Sequence, residues 1–198
     1  MLARSLVLVL ASASVAAAER PRLYTDASLW IGHRWSEKQF GADYVEDTDE
    51  PAALLRYSAG AVFVLHEKLD LRVGPALDLA WDAEEKSGIA IGLEGEVDHR
   101  LDPTWALGAR LSFSVGGGRA AATEGQNAMA GLRLRSDSVM FGIDAVFARS
   151  GDTTTFRSTR GVMLGAGLTG RPGRYVFAGS AAIATIVGII GLTKFANH

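Results

Sequence analysis

The sequence predicts an all-β protein, an eight-stranded antiparallel up-and-down transmembrane β-barrel, with an N-terminal signal peptide and a C-terminal apolar helix. Apolar and polar residues alternate with a period of two over residues 23–169, which is the pattern of strands and not of helices. Most alternating segments are long, since six of the eight cover at least nine residues, where soluble strands have about 5–6 and membrane-spanning strands need about 9–11. The links between them alternate between short and long, as the turns and loops of such a barrel do.

Eight segments carry the alternation, at residues 23–35, 53–65, 69–82, 89–97, 105–115, 128–134, 139–147 and 162–168. Short polar links are predicted at 66–68, 99–104 and 136–138, and longer links at 36–51, 83–87, 116–126 and 150–158. The domain boundaries that follow are a signal peptide at 1–18, the barrel at 19–172 and an apolar C-terminal segment at 173–198.

The first 18 residues have the three parts of a secretory signal peptide. Arg4 supplies the positive charge, residues 6–10 form the apolar core, and Ala16 and Ala18 give the small-x-small cleavage pattern. An uncleaved N-terminal anchor is the alternative. Many small exported proteins are stabilised by disulfides, and this chain has no cysteine, so it needs another source of stability.

The composition excludes several kinds of site. The absence of cysteine removes thiolate zinc sites and cysteine nucleophiles, and a net charge of −2 gives no footprint for nucleic acid. The four histidines are His33, His66, His99 and His198, and no two of them have the spacing of metal ligands. The sequence therefore predicts no cofactor, no metal site and no nucleic-acid partner.

The two faces of the strands differ in kind. One face carries Leu, Ile, Val and Phe together with large aromatics near strand ends, which we predict to lie at the membrane interfaces: Trp35, Trp81, Trp105, Phe113 and Phe147. Alternation alone also fits a soluble sandwich or lipocalin-like barrel with the apolar face inward. Strand length, the export signal and a polar face rich in Gly and Ala favour the membrane.

The polar face carries five basic and five acidic residues that we predict to line the lumen: Arg34, Arg56, Asp70, Arg72, Asp78, Glu94, Glu96, Arg110, Arg133 and Asp144. An eight-stranded barrel is just wide enough to be filled by side chains, so these charges are expected to pair into a plug. A narrow ion path is the alternative. Asp82 and Asp98 lie at strand ends and are expected to meet water.

The architecture and the turn-and-strand phrase HRLDPTWALGARLSFS at residues 99–114 resemble the small eight-stranded outer-membrane barrels of Gram-negative bacteria. This is the family of the outer membrane protein A transmembrane domain and the Ail-like surface proteins. The resemblance covers about residues 22–170 and rests on no family-specific motif. It implies a bacterial outer-membrane protein in contact with outer-membrane lipid and lipopolysaccharide, without catalytic residues, whose loops serve envelope integrity, adhesion or partner binding.

A lipid-modifying enzyme is the competing hypothesis. His33 lies near the loop end of the first segment with Ser36 and the acidic link 36–51 close in sequence. A lone histidine at the membrane interface is more often a polar group at the level of the lipid headgroups than a catalytic residue. The link 36–51 is predicted to be a solvated loop, and binding of a divalent cation or a partner is the alternative. The Gly-rich residues 116–119 read as a surface loop without a phosphate-binding lysine.

The C-terminal segment breaks the alternation. Residues 175–192 carry no charge and are long enough for a spanning helix, so a helix is predicted, with a protein partner as one possible contact. The alternative is a last strand at 183–195, ending in Phe195 as outer-membrane barrels end in an aromatic.

Overall fold

The structure, a computed structural model, describes residues 21–40, 44–82, 87–118, 125–151, 155–176 and 178–179. Eight strands follow one another along the chain: β1 (Arg22–Phe40), β2 (Tyr44–His66), β3 (Leu69–Asp82), β4 (Ser87–Arg100), β5 (Ala106–Gly118), β6 (Gly125–Arg135), β7 (Val139–Gly151) and β8 (Thr155–Leu168).

Every strand pairs antiparallel with the next, and β1 pairs with β8, so the sheet closes on itself. The predicted eight-stranded up-and-down barrel is confirmed. Following the paired residues once around the sheet from Asp26 leads back to β1 at Ser36, ten residues further along. Such a shift means that the strands are tilted against the barrel axis, and with eight strands the interior is narrow enough for side chains to fill.

The polarity of the barrel wall is inverted relative to a protein core in water. Large apolar side chains stand exposed on the outward positions, as Leu93 (65% exposed) and Val115 (66%) do. Charged side chains such as Arg56 and Asp78 are buried on the inward positions, both 1% exposed. The outer surface is thus apolar and the interior polar, which is the arrangement of membrane barrels.

The two ends of the barrel are named here by their connections. The turn end carries the links β2–β3, β4–β5 and β6–β7, and the loop end carries the links that follow β1, β3, β5 and β7. At the turn end, the Asp102 carboxylate accepts hydrogen bonds from the amides of Thr104 (2.6 Å) and Trp105 (2.8 Å). Asp side chains favour turns because they can bond neighbouring backbone groups in this way.

The predicted long link at 36–51 is wrong for most of its length. β1 continues to Phe40 and β2 begins at Tyr44, with pairing up to Phe40↔Tyr44, while β8 pairs with the other edge of β1 up to Phe40↔Thr155. Backbone groups of β1 are thereby paired on both sides, which outweighs the low strand propensity of the acidic residues there. Parts of the predicted links 99–104, 116–126 and 150–158 also belong to strands.

A short helical stretch at 170–176 follows β8 and packs beneath the turn end. The Thr169 hydroxyl donates to the Ser136 carbonyl (2.9 Å), and the Thr169 amide donates to the Ser138 carbonyl (3.0 Å). Gly170 adopts a left-handed φ of 60°, which favours glycine.

Residues 178–179 are helical too. Most of the predicted apolar helix, its strand alternative 183–195 and the signal peptide 1–18 lie outside the described residues. Among the residues with a described structure, no helix is long and apolar enough to cross a membrane.

Candidate functional site

The centre of the lumen is built on a bidentate ion pair. Arg56 of β2 and Asp78 of β3 stand opposite each other in the register. The Nε and Nη2 atoms of Arg56 each donate to one oxygen of the Asp78 carboxylate, both at 2.5 Å. The third guanidinium nitrogen, Nη1, donates to the Ser112 hydroxyl of β5 at 3.1 Å. Charge-assisted forks are among the stronger hydrogen bonds in proteins, so this pair fixes both side chains in the lumen.

A second group of charges surrounds Asp144 of β7. The Asp144 carboxylate contacts Arg110 of β5 and accepts a hydrogen bond from Nη2 of Arg133 at 3.3 Å. Arg110 also reaches Glu94 at 3.3 Å. One buried carboxylate therefore serves two buried arginines, and neither arginine is left without an acidic partner.

The charges nearer the turn end form a third group. Arg135 donates to Glu96 (2.8 Å) and to Asp26 (2.9 Å), and a contact of 3.7 Å between Arg133 and Glu96 connects this group to the centre. We call the whole set the lumen network: Arg56, Arg72, Arg100, Arg110, Arg133, Arg135, Asp26, Asp70, Asp78, Glu94, Glu96, Asp98 and Asp144.

The network crosses the lumen instead of following its wall. The Tyr24 hydroxyl of β1 donates to Glu94 of β4 at 3.3 Å, and Arg135 of β6 bonds to Asp26 of β1. Strands β1 and β4, like β6 and β1, are not neighbours in the sheet. These contacts span the interior and close it with side chains.

Trp30 stands against the central arginines and is 1% exposed. Its indole nitrogen donates to the Ser28 hydroxyl at 2.8 Å, and the guanidinium carbons of Arg133 and Arg110 lie 4.4 and 5.4 Å from a ring centre. Cation–π contact of this kind stabilises desolvated arginines. The ring fits because the wall behind it is Gly165, where any Cβ would overlap the indole.

The loop half of the lumen is lined differently. Its inward positions carry mostly small residues, among them Ala52, Ala80, Ala90, Ser114 and Ala148, all of them buried. An apolar cluster joins the two halves and consists of Trp30, Leu54, Ala80, Met129, Met140, Val146 and Met163. Charge is therefore concentrated in the turn half and centre of the barrel.

Nine of the ten residues assigned to the lumen from sequence lie in the lumen network. The tenth, Arg34, is 2% exposed and lies on β1 nearer the loop end, where it has contacts of its own. The expectation that Asp98 meets water is wrong: it is 2% exposed and accepts a hydrogen bond from Nε of Arg72 at 2.7 Å. The network surrounds this strand end with arginines, which the position of a residue in its strand does not reveal. The side chain of Asp82 lies outside the described residues.

Sequence reasoning missed four charged members of the interior and two aromatic ones, Tyr24 and Trp30. Asp26 and Trp30 share the strand parity of Arg34, and Arg135 shares the parity of Arg133, so parity alone would have assigned them inward. Arg100 donates to Asp70 (2.7 Å) close to the turn end. It was missed because it falls in the predicted link 99–104, where no inward face is assigned. Asp98 had been assigned to solvent.

Four of the five predicted interface aromatics lie outward towards the loop end. Trp35, Trp81, Phe113 and Phe147 are between 41% and 60% exposed. Trp105, expected at the start of a strand, lies half-buried in the β4–β5 turn at the opposite end, because its amide is held by Asp102.

No protein-family model matches the chain, and no curated protein matches it. Among solved structures it is similar to Ail, the attachment invasion locus protein of Yersinia pestis, at 16% identity over 73% of this chain and 97% of Ail, with a TM-score of 0.31. It is also similar to neisserial surface protein A, at 15% identity over 77% and 99% with a TM-score of 0.39, and to a de novo designed transmembrane β-barrel, at 12% over 74% and 98% with a TM-score of 0.33.

These similarities concern the barrel fold alone. Small outer-membrane barrels, the class that the sequence resembles, are among them. The closed order of eight strands is established by the pairing within this chain, and ligands do not follow from structures so distant in sequence.

His33 lies on the outward face near the loop end, 47% exposed in its side chain. Its ring meets Trp35 edge-on with centroids 5.4 Å apart, and its Nε2 contacts the Asp49 carboxylate across the β1–β2 pair. An outward groove of about 760 Å³ lies beside it, lined by Ile31, Pro51, Ala53, Trp81 and Leu164 among others. The side chain of Ser36 lies outside the described residues.

No cluster of three or more potential metal ligands occurs in the part of the chain that the structure describes.

Proposed function

We propose that this chain is an exported, integral protein of the bacterial outer membrane with a non-enzymatic role. A rigid, non-conducting barrel would hold the loop end outside the cell for envelope integrity, adhesion or partner binding. The proposal rests on one observation above all: an apolar outer surface surrounds an interior filled by the lumen network. A soluble barrel buries its apolar face and exposes its polar one, which is the opposite arrangement.

The loop end supports a role in binding. β1 and β2 pair up to Phe40↔Tyr44, whereas the described pairing of β2 with β3 begins at Ala52↔Asp82. Residues 44–51 of β2 therefore extend past the end of β3, and among the residues with a described structure none pairs with this side of them. Strand edges bind extended segments of other chains through backbone hydrogen bonds, so this edge is a suitable contact for a protein partner.

Two arginine substitutions on the outer surface test whether lipid surrounds the barrel. Leu93 is the seventh of the fourteen residues of β4 and lies at mid-height, whereas Val115 is the tenth of the thirteen residues of β5 and lies towards the loop end. Both are exposed to the same extent. In a bilayer, Leu93→Arg should cost about 2–4 kcal/mol of unfolding free energy and Val115→Arg about 0–1 kcal/mol.

The unfolding free energy is measured by urea titration of protein refolded into phosphatidylcholine vesicles. Folding is followed by the gel mobility shift between unheated and boiled samples, and membrane fractionation locates the protein in cells. Equal and small effects of both substitutions, or recovery in a soluble fraction, would contradict the membrane location.

One observation favours a second candidate, a lipid-modifying enzyme. His33 contacts Asp49 on the outward face beside the groove of about 760 Å³, and a carboxylate can orient a histidine as a general base. Mass spectrometry of lipid A from cells that express the wild-type chain, His33→Ala or no chain distinguishes the two. We expect three identical spectra; a modification that needs His33 would favour the enzyme.

A further inference from the structure

A second groove runs over the outer surface of β5, β6 and β7 near the loop end. Phe113 stands opposite Ala128, and Ala128 stands opposite Phe147, so one small side chain lies between two outward phenylalanines. The groove has a volume of about 570 Å³. An apolar trough of this form on a lipid-facing surface accommodates an acyl chain.

Two arginines stand at the loop end of this groove and belong to its lining. Arg160 is opposite Phe147 and Arg149 is opposite Ser158, so the arginines are diagonal neighbours on β7 and β8. Diagonal neighbours in a sheet are about 7–8 Å apart at Cα, which lets two long side chains reach one ligand. Both side chains are exposed.

The arginines have an aromatic neighbour on the other side. Trp35 of β1 is opposite Arg160, so the outward row from Phe113 to Trp35 reads Phe, Ala, Phe, Arg, Trp. Aromatic side chains mark the depth of lipid headgroups in membrane barrels. Arg149 and Arg160 therefore lie at the level where a lipid carries its phosphate, and the groove extends from them towards the membrane interior.

From this arrangement we propose that the groove is a docking site for a phosphorylated glycolipid of the outer leaflet. The phosphate lies between the guanidinium groups of Arg149 and Arg160, and an acyl chain lies over Ala128 between Phe113 and Phe147. Arginine suits this ligand because its planar fork binds phosphate oxygens in pairs. The inference rests on the proposed function, since it needs the loop end to face the outer leaflet.

The test uses the full chain in phosphatidylcholine nanodiscs that contain a minor fraction of diphosphoryl lipid A. Native mass spectrometry measures the ratio of lipid A-bound to unbound protein. The double variant Arg149→Gln/Arg160→Gln should lower this ratio about tenfold, since two charge-assisted contacts to phosphate are lost. Arg171→Gln is the matched control, because Arg171 is exposed at the turn end and its loss should leave the ratio unchanged.

A second variant tests the acyl part of the site without touching a charge. Ala128→Phe fills the trough between the two phenylalanines and should also lower the ratio for diphosphoryl lipid A. Dephosphorylated lipid A should bind the wild-type chain as weakly as diphosphoryl lipid A binds the double variant. Inorganic phosphate in the buffer should not compete.

Equal ratios for the wild type and the double variant would overturn the proposal, and so would equal binding of the dephosphorylated lipid. Competition by inorganic phosphate would show that the arginines bind phosphate without the lipid. The heat-dependent gel shift of each nanodisc sample keeps the two proposals separate. A folded, membrane-embedded chain without lipid preference contradicts only the docking site, whereas a chain that does not enter nanodiscs contradicts the proposed function.

Discussion

The two halves of the lumen are made from the same eight strands and fill their space in different ways. The turn half and centre contain the lumen network, in which carboxylates and guanidinium groups meet across the barrel. The loop half contains mostly small side chains, alanines and Ser114 among them, besides Arg34 and Asn127, and bulk comes from the cluster around Leu54 and Val146. Mutations of equal size should therefore have unequal effects in the two halves.

The difference indicates that the turn half and centre, more than the loop half, determine how the strands are arranged. Small side chains in the loop half bring the walls close without requiring partners. Buried charges tolerate few alternatives, because each one that loses its partner costs free energy, so the network specifies one arrangement of strands. The halves meet at Trp30, which touches arginines on one side and belongs to the apolar cluster on the other.

The largest effect is expected for Asp144→Ala. This substitution removes the carboxylate that Arg110 and Arg133 share and leaves them only their weaker contacts with Glu94 and Glu96. Breaking a buried ion pair by removing one partner costs about 3–5 kcal/mol of unfolding free energy. Urea titration in vesicles measures the loss. Asp137→Ala removes an exposed carboxylate in the β6–β7 turn and should change the unfolding free energy by less than about 0.5 kcal/mol.

The boundary between the halves is tested by Gly165→Ala. The added methyl group overlaps the indole of Trp30, and overpacking of this kind costs about 1–3 kcal/mol. Gly95→Ala is the control, since the nearest atom to an added methyl group there is 4.0 Å away. If both variants unfold at the wild-type urea concentration, Trp30 does not pack against the wall as described.

The smallest effect compares two serines on one face of β5. Ser112 accepts a hydrogen bond from Arg56 in the network, and its replacement by alanine should cost about 1.5 kcal/mol. Ser114 lies two residues further into the loop half, and Ser114→Ala should cost less than about 0.5 kcal/mol. A larger loss for Ser114→Ala would contradict the difference between the halves.

Much of this architecture could be predicted because strands repeat every two residues. Parity assigned Arg56, Asp78 and Asp144 to the inward face before any contact was known, and it would also have assigned Asp26. The number and length of the alternating segments indicated the eight-stranded barrel, whereas the predicted alternation of short and long links is wrong.

Partners could not be predicted, because they depend on the shift of ten residues around the barrel and not on local sequence. Arg135 reaches Asp26 although 109 residues separate them. Nor did composition reveal that the acidic residues after Trp35 continue a strand, since pairing of β1 with both β2 and β8 decides that segment.

The central claim is that the lumen network closes the barrel. Its most direct test is planar-bilayer conductance of the refolded full-length chain at neutral pH. Because contacts such as Tyr24–Glu94 and Arg56–Ser112 cross the interior, we expect a silent bilayer without steady channel openings. Steady, ion-selective openings from folded protein would show a continuous path through the network and would contradict the claim.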